Sequence, residues 1–219
     1  MPRLLFEKKG NAVWISHLDL MRLFQRAFKR SGLLLTHTQG FNPRPSVSIA
    51  LPLSVGVESC CELLDFDLYG EPVSDEEILR RLNSSLVEGV RVLSVYSNGS
   101  KIKNLALLEC EVIFEFDNGI PENAVIQLRE LFSSDEVTVE KKTKNGIKEE
   151  NVIPMIRSIH VEAKGEHTVT LHAVVCCQNQ TLNPMQLSAA VKKYLPHIQP
   201  DFVKCKRLEI FDTDEKIFR

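Results

Sequence analysis

Two hydrophobic rhythms run along this chain, and they assign most of its elements. At Leu20, Leu23, Phe24, Ala27 and Phe28 apolar residues recur at helical spacing, one stripe of a helix expected over about residues 17 to 30. At Leu108, Cys110, Val112, Phe114 and Phe116 they alternate with Glu109, Glu111 and Glu115, the two-residue period of a strand with one face buried. Local signals sharpen the boundaries. Ser16 stands as an N-cap with Asp19 three residues on, and Ser31-Gly32 ends the helix, glycine being the usual left-handed terminator.

The first half then reads strand, helix, strand, strand, helix, strand. RLLFEKK opens it, and the apolar AVWI follows a turn at Gly10-Asn11. LLLTHT and SVSIAL are expected as strands flanking a loop from Gln39 to Pro45. CELLDFDLYG reads as a half-buried strand, with Leu64, Phe66 and Leu68 set against Asp65 and Asp67. A second capping box, Ser74 with Glu77, precedes Ile78, Leu79, Leu82 and Leu86, and GVRVLSVY closes the unit.

The second half repeats the order. ALLECEVIFEFD is its first strand, Pro121 opens a helix carrying Val125, Leu128, Leu131 and Phe132, and EVTVEKKTKNGIKEENV is a hairpin turning at Asn145-Gly146. HTVTLHAVVC, a helix from Asn183-Pro184 and VKCKRLEIF complete it. Ile147 to Lys164 is an extra segment that the repeat does not demand. The expected fold class is α+β: two tandem ferredoxin-like (split βαβ) domains with antiparallel sheets, residues 1–98 and 105–212, joined through the linker-like SNGSKIKN.

Composition changes this picture little. The 219 residues are 43% hydrophobic and 26% charged, as in an ordinary globular protein. No apolar run approaches the roughly 18 residues of a membrane helix, and MPRLLFEKKG moves straight into charge, so a cytoplasmic protein without membrane partners is expected. The six cysteines include no CxxC and no three-cysteine cluster spacing. Adjacent pairs such as Cys60-Cys61 and Cys176-Cys177 fit opposite faces of strands, as reduced structural thiols. No metal or cofactor is expected.

Charge distribution matters more than the total. Residues 1–60 carry eight Lys/Arg and three acids, a balance of +5, leaving -7 for the remainder against a total of -2. Arg22, Arg26, Lys29 and Arg30 share one side of the first helix, opposite its apolar stripe. That face is either solvated, its cations favoured near a helix C-terminus, or a strip for phosphate oxygens. In TQGFNPRP, Gly40 permits a bend, the prolines hold Asn42 and Arg44 extended, and Phe41 offers a flat surface, so that the loop could stack on and clamp single-stranded RNA. The alternative is a connecting loop with Phe41 in the core. His17, at the helix start, is the one weak catalytic candidate, as a general acid or base. Serine-hydrolase, phosphate-loop and zinc-protease patterns are absent.

The stretch ISHLDLMRLFQRAFKRSGL followed by QGFNPRPSVSIALPLSVGVES resembles the bacterial radical-SAM-linked proteins, a domain of unknown function, specifically over Ile15 to Ser59 and diffusely across most of the rest. Members of that family more often read Gly-Phe-Asn-Pro-His-Pro in the loop; Arg44 stands here in place of that histidine, so a role needing imidazole does not carry over. The resemblance implies partnership with a radical SAM enzyme. Because the chain lacks the three-cysteine cluster motif, it would be the companion and not the radical enzyme. The tandem layout is also similar to RNA-processing endonucleases of the CRISPR repeat-associated superfamily, an analogy of fold alone. Together these observations lead to the expectation of an RNA-binding accessory module for a radical SAM enzyme in RNA modification, with Arg22, Arg26, Lys29, Arg30, Phe41, Asn42 and Arg44 at the RNA. An endoribonuclease using His17 and a pure protein-interaction adaptor are the alternatives. No oligomeric state is specified by the sequence.

Overall fold

A computed structural model describes residues 1–143 and 146–219, and the chain separates into two compact units. The first comprises Met1–Asn104 with Phe218–Arg219, and the second Leu105–Ile217. Both are mixed α+β with antiparallel strands, as the hydrophobic rhythms require.

In the first unit the strands are β1 (Arg3–Lys8), β2 (Val47–Ala50), β3 (Val57–Phe66) and β4 (Val90–Tyr96), and the helices α1 (His17–Arg30) and α2 (Asp75–Asn83). The sheet order is β2-β3-β1-β4, every pair antiparallel, with Leu4 opposite both Leu64 and Val95. Leu4 and Phe6 share one sheet face by the two-residue period, and both helices pack on it through Leu20, Phe24, Ala27, Phe28, Ile78 and Leu82. Phe6 meets Phe24 edge-on at 4.7 Å between ring centroids, and Phe28 meets Phe66 at 5.1 Å, separations at which aromatic pairs add to plain burial.

Arg3 organises the other face. Its guanidinium donates to both carboxylate oxygens of Asp65, at 2.6 and 3.1 Å, and to the Ser100 carbonyl at 2.9 Å, and lies 5.5 Å over the ring of Phe218. The Ser100 amide donates to the Arg219 carbonyl, so the last two residues complete the first unit. On this face β3 departs from the expected half-burial. Leu63 and Asp65 point to the face where Arg3 and Phe218 lie, and Leu63 is as buried as Leu64.

The second unit holds β5 (Leu105–Glu115), α3 (Ala124–Phe132), the hairpin β6 (Thr138–Thr143) and β7 (Gly146–Asn151), then β8 (Ile156–Ala163), β9 (Thr168–Gln178), the short β10 (Gln180–Thr181), α4 (Met185–Tyr194) and β11 (Phe202–Asp212). Its main sheet runs β8-β9-β5-β11, with β10 extending the end of β9. Along β5 the expected inward residues Leu108, Cys110, Val112 and Phe114 are all buried, while the glutamates between them keep partial access to solvent. Setting aside the β6–β7 hairpin and β10, the chain in both units runs strand, helix, strand, strand, helix, strand, with those strands side by side in the order second, third, first, fourth.

Several local expectations are corrected. Leu33–Thr38 is not a strand: it makes only isolated bridges, Leu35 with Leu68 and His37 with Pro45, because the chain there pairs with loops. The helix after Pro121 begins at Ala124, since Asn123 adopts a left-handed backbone (φ 60°) that breaks helical continuity before it. The extra element of the second unit is the β6–β7 hairpin. Most of the later half of Ile147 to Lys164 is β8, a full member of the sheet, paired with β9 from Ile156 to Ala163. Asn145, on which the type I′ turn rested, lies outside the described residues.

Among the described residues the six cysteines form no disulfide. Within each adjacent pair one thiol is buried and the other partly exposed, as strand neighbours must be. Burial pushes the thiols of Cys177 and Cys205 up to about 12, so they stay protonated and unreactive at neutral pH. Among the described residues no helix is long and apolar enough to cross a membrane.

Two measurements check this account. Phe218, 1% exposed beneath Arg3, should destabilise the first unit by about 3–5 kcal/mol when replaced by Ala, read as a lowered urea midpoint. At the start of α2, hydrogen bonds from Arg80 and Arg81 hold the Glu77 carboxyl down to about 2 from its ordinary 4.5. A depressed carboxylate stabilises the fold fully above pH 4.5, and loses that contribution as pH falls toward about 2. The stability difference between wild type and Glu77→Gln should therefore shrink across that window and be pH-independent from 5 to 7.

Candidate nucleic-acid interface

The residues entering α1 are tied down before the helix begins. Lys8, wholly buried at the end of β1, donates from Nζ to the carbonyls of Val13 (3.1 Å) and Ile15 (2.9 Å). Burial lowers its pKa, and the nearby Glu62 carboxylate opposes that shift. One residue later Ser16 caps the helix. Its hydroxyl accepts from the Asp19 amide at 3.2 Å and donates to the Asp19 carboxylate at 2.7 Å. That hydrogen bond, followed by Arg22, holds the Asp19 carboxyl below the usual range. With the start fixed and the Leu20/Phe24/Ala27/Phe28 stripe turned inward, the phase of the exposed face is set.

On that face Arg22, Arg26 and Arg30 line a groove of about 440 Å³, with Ile15 and Leu23 below and Val87 opposite. Arg22 pairs with Asp19 at 2.9 Å, and Arg30 donates to the Ser85 carbonyl, which anchors the far end of the row. Arg26 makes no ion pair among the described residues. With three guanidinium groups against one carboxylate, Asp19, the groove carries a net +2. Lys29 falls on the other margin of the helix face, where it lines a smaller cleft of about 280 Å³ together with His37 and Pro45.

The loop beyond that cleft is braced at its base. The Thr38 amide donates to the Arg44 carbonyl at 2.8 Å, the Arg44 amide returns to the Thr38 hydroxyl at 3.0 Å, and the Ser46 amide donates to the Thr36 carbonyl at 2.8 Å. Asp67 accepts from the Thr36 amide and hydroxyl. Gly40 sits at φ 135°, a bend L side chains rarely adopt. Phe41, at 103% relative exposure, stands clear of the protein at the tip, with Asn42 and Arg44 also exposed. The reading that tucked Phe41 into the core does not hold.

His17 takes another position. Its Nδ1 is buried without a hydrogen-bond partner among the described residues, and its ring lines neither cleft. Among the described residues no group of three or more His, Cys, Asp or Glu side chains could hold a metal ion. Sequence reasoning missed Val87, which walls the arginine groove from the loop after α2, and the exposure of Trp14 and Leu18 around the helix start. The only signal for Trp14 was that it is the single tryptophan of the chain.

These features sit in a mixed α+β protein with a cationic groove on its first helix. The chain belongs to the family described as uncharacterized protein conserved in bacteria (DUF2344), whose model matches residues 2–184. No curated protein matches it significantly. Among solved structures it is similar to a chain of the Cbf5-Nop10-Gar1 complex, at 10% identity and TM-score 0.50, covering 98% of this chain and 50% of that one. It is also similar to a chain of an H/ACA ribonucleoprotein bound to a substrate RNA containing 2′-deoxyuridine, at 9% identity and TM-score 0.50, covering 99% and 50%. The chain thus spans half the length of those relatives, and the likeness concerns the fold alone.

Because Phe41 touches nothing that it stabilises, Phe41→Ala should shift the protein's stability by no more than about 0.5 kcal/mol. Thermal unfolding followed by circular dichroism checks this; a larger loss would place the ring in a packed site.

Proposed function

We propose that this chain is an RNA-binding accessory module of a radical SAM enzyme acting in RNA modification, built from two tandem ferredoxin-like units, about residues 1–98 and 105–212. The carrying observation is the groove in which Arg22, Arg26 and Arg30 face solvent together with a single opposing carboxylate. Arginine forks suit phosphate oxygens, and a row along one helix suits successive phosphates of a strand. Phe41 and Arg44 on the braced loop supply a stacking ring and a further cation, and Asn42 an amide beside them. The repeated strand order supports the tandem reading of the fold. One of the similar solved chains comes from an H/ACA ribonucleoprotein bound to a substrate RNA, which agrees with an RNA ligand. The partnership with a radical SAM enzyme is supported by the residues Ile15 to Ser59 and their likeness to radical-SAM-linked proteins.

A pure protein adaptor is the second reading, favoured by the wholly exposed Phe41 and the largely exposed Trp14 and Leu18. An endoribonuclease based on His17 has less behind it, since that ring does not line the groove and holds one nitrogen buried.

Affinity for single-stranded RNA measured against salt separates these readings. About four phosphate contacts give a slope of log affinity on log salt near -3, and the Arg22→Ala/Arg26→Ala/Arg30→Ala protein should lose about two units of it. Absence of RNA binding at about 50 mM salt, with co-purification of a protein partner that survives RNase and fails in Phe41→Ala/Arg44→Ala, would replace the RNA module by the adaptor.

A further inference from the structure

The cleft on the Lys29 margin of α1 differs in character from the arginine groove. Its apolar lining combines buried and open groups: Phe28 is fully buried, Leu33 is 2% exposed, Leu35 packs against the same core, and Leu34 is exposed. Three polar side chains converge on it, Gln25, Lys29 and His37. Its volume of about 280 Å³ is too small for a drug-sized ligand or a peptide helix, and large enough for one flat heterocycle. Gln25 offers a donor and an acceptor on one planar amide, and His37 offers both roles on its two ring nitrogens. Lys29 is a cation with no ion pair among the described residues.

We propose that this cleft receives one unstacked base of the bound RNA, with Gln25 and His37 reading its edge and Lys29 holding the adjoining phosphate. The inference rests on the RNA reading of the arginine groove and extends it. Gln25 and Lys29 leave the same helix as Arg22 and Arg26, each three residues after one of these arginines, so a strand whose phosphates follow the arginines passes the mouth of the cleft. The occupant suits the chemistry. An apolar slot with paired hydrogen-bonding groups at its lip is how bases splayed from single strands are held, and the lysine matches the charge that accompanies every base in a polymer. A purely aliphatic ligand would leave Gln25, His37 and Lys29 unused.

The test compares a fluorescein-labelled oligouridylate of roughly 12 nucleotides with an abasic ribose-phosphate strand of the same length. Wild type, Gln25→Ala/His37→Ala, and Gln25→Trp, which fills the cleft from its helical wall, are titrated across salt, with thermal unfolding to verify each fold. Both variants should bind oligouridylate roughly tenfold more weakly, bind the abasic strand as wild type does, and keep the wild-type salt slope. If both bind the two strands in the wild-type ratio, the base site is wrong while the phosphate groove stands. If wild type binds neither strand at low salt, both readings fall. If the variants lose affinity for both strands equally, the cleft is part of a general electrostatic surface and holds no base.

Discussion

The arrangement of this protein's exposed cations depends on a buried one. An ammonium group taken out of water is costly unless its hydrogens and its charge are met, and Lys8 meets this by drawing in the carbonyls of Val13 and Ile15 and by lying near the Glu62 carboxylate. Those carbonyls belong to the chain immediately before Ser16. Their capture fixes where α1 starts, and the inward stripe from Leu20 to Phe28 fixes its rotation. The outward direction of Arg22, Arg26 and Arg30 is then a geometric consequence.

That consequence works against helix stability. Cations spaced four residues apart repel, each pair costing a few tenths of a kcal/mol. The structure offsets this chiefly at the two ends: Asp19 takes Arg22, and the Ser85 carbonyl takes Arg30, where the helix C-terminus also favours positive charge. Arg26, between them, makes no ion pair among the described residues and feels the Asp19 carboxylate only at a distance. The contrast with α2 is informative. There Glu77 accepts from both Arg80 and Arg81, so the charges of the helix are settled internally. An open central guanidinium is what the proposed binding of successive phosphates calls for.

Much of this fold was legible in the sequence wherever one face of an element decides its environment. The alternation along β5 and the stripe along α1 each describe a surface with a single buried side, and both were met. Reading failed where a second surface intervened. On β3 Asp65 is held by Arg3, which lies over Phe218, some 150 residues away in sequence, and no local pattern encodes that contact. Leu33–Thr38 had strand composition but found loop partners, and Asn123 took a left-handed turn that Pro121 alone does not announce. At the site, helical spacing placed the cations on one face but could not divide it. At about 100° per residue, Arg26 and Arg30 step progressively to one side of Arg22, and Lys29 falls about 20° to the other. One margin looks toward Val87, the other toward Leu33 to Pro45.

That division makes the face more useful than a uniform strip would be. The Val87 margin is charged and open, suited to phosphates whose identity is the same at every position. The Pro45 margin is apolar with polar groups at its lip, suited to what differs from one position to the next. Beyond it, a loop braced through Thr36, Thr38 and Asp67 carries a bare phenylalanine. Ordering is already complete at its base, so a partner stacking on Phe41 would lose little conformational entropy there. Exposing a whole aromatic ring on a braced hairpin gains the isolated protein nothing in stability. Under the proposed function that compensation comes from a stacked RNA base, and the cations beside the ring match the charge of its phosphates.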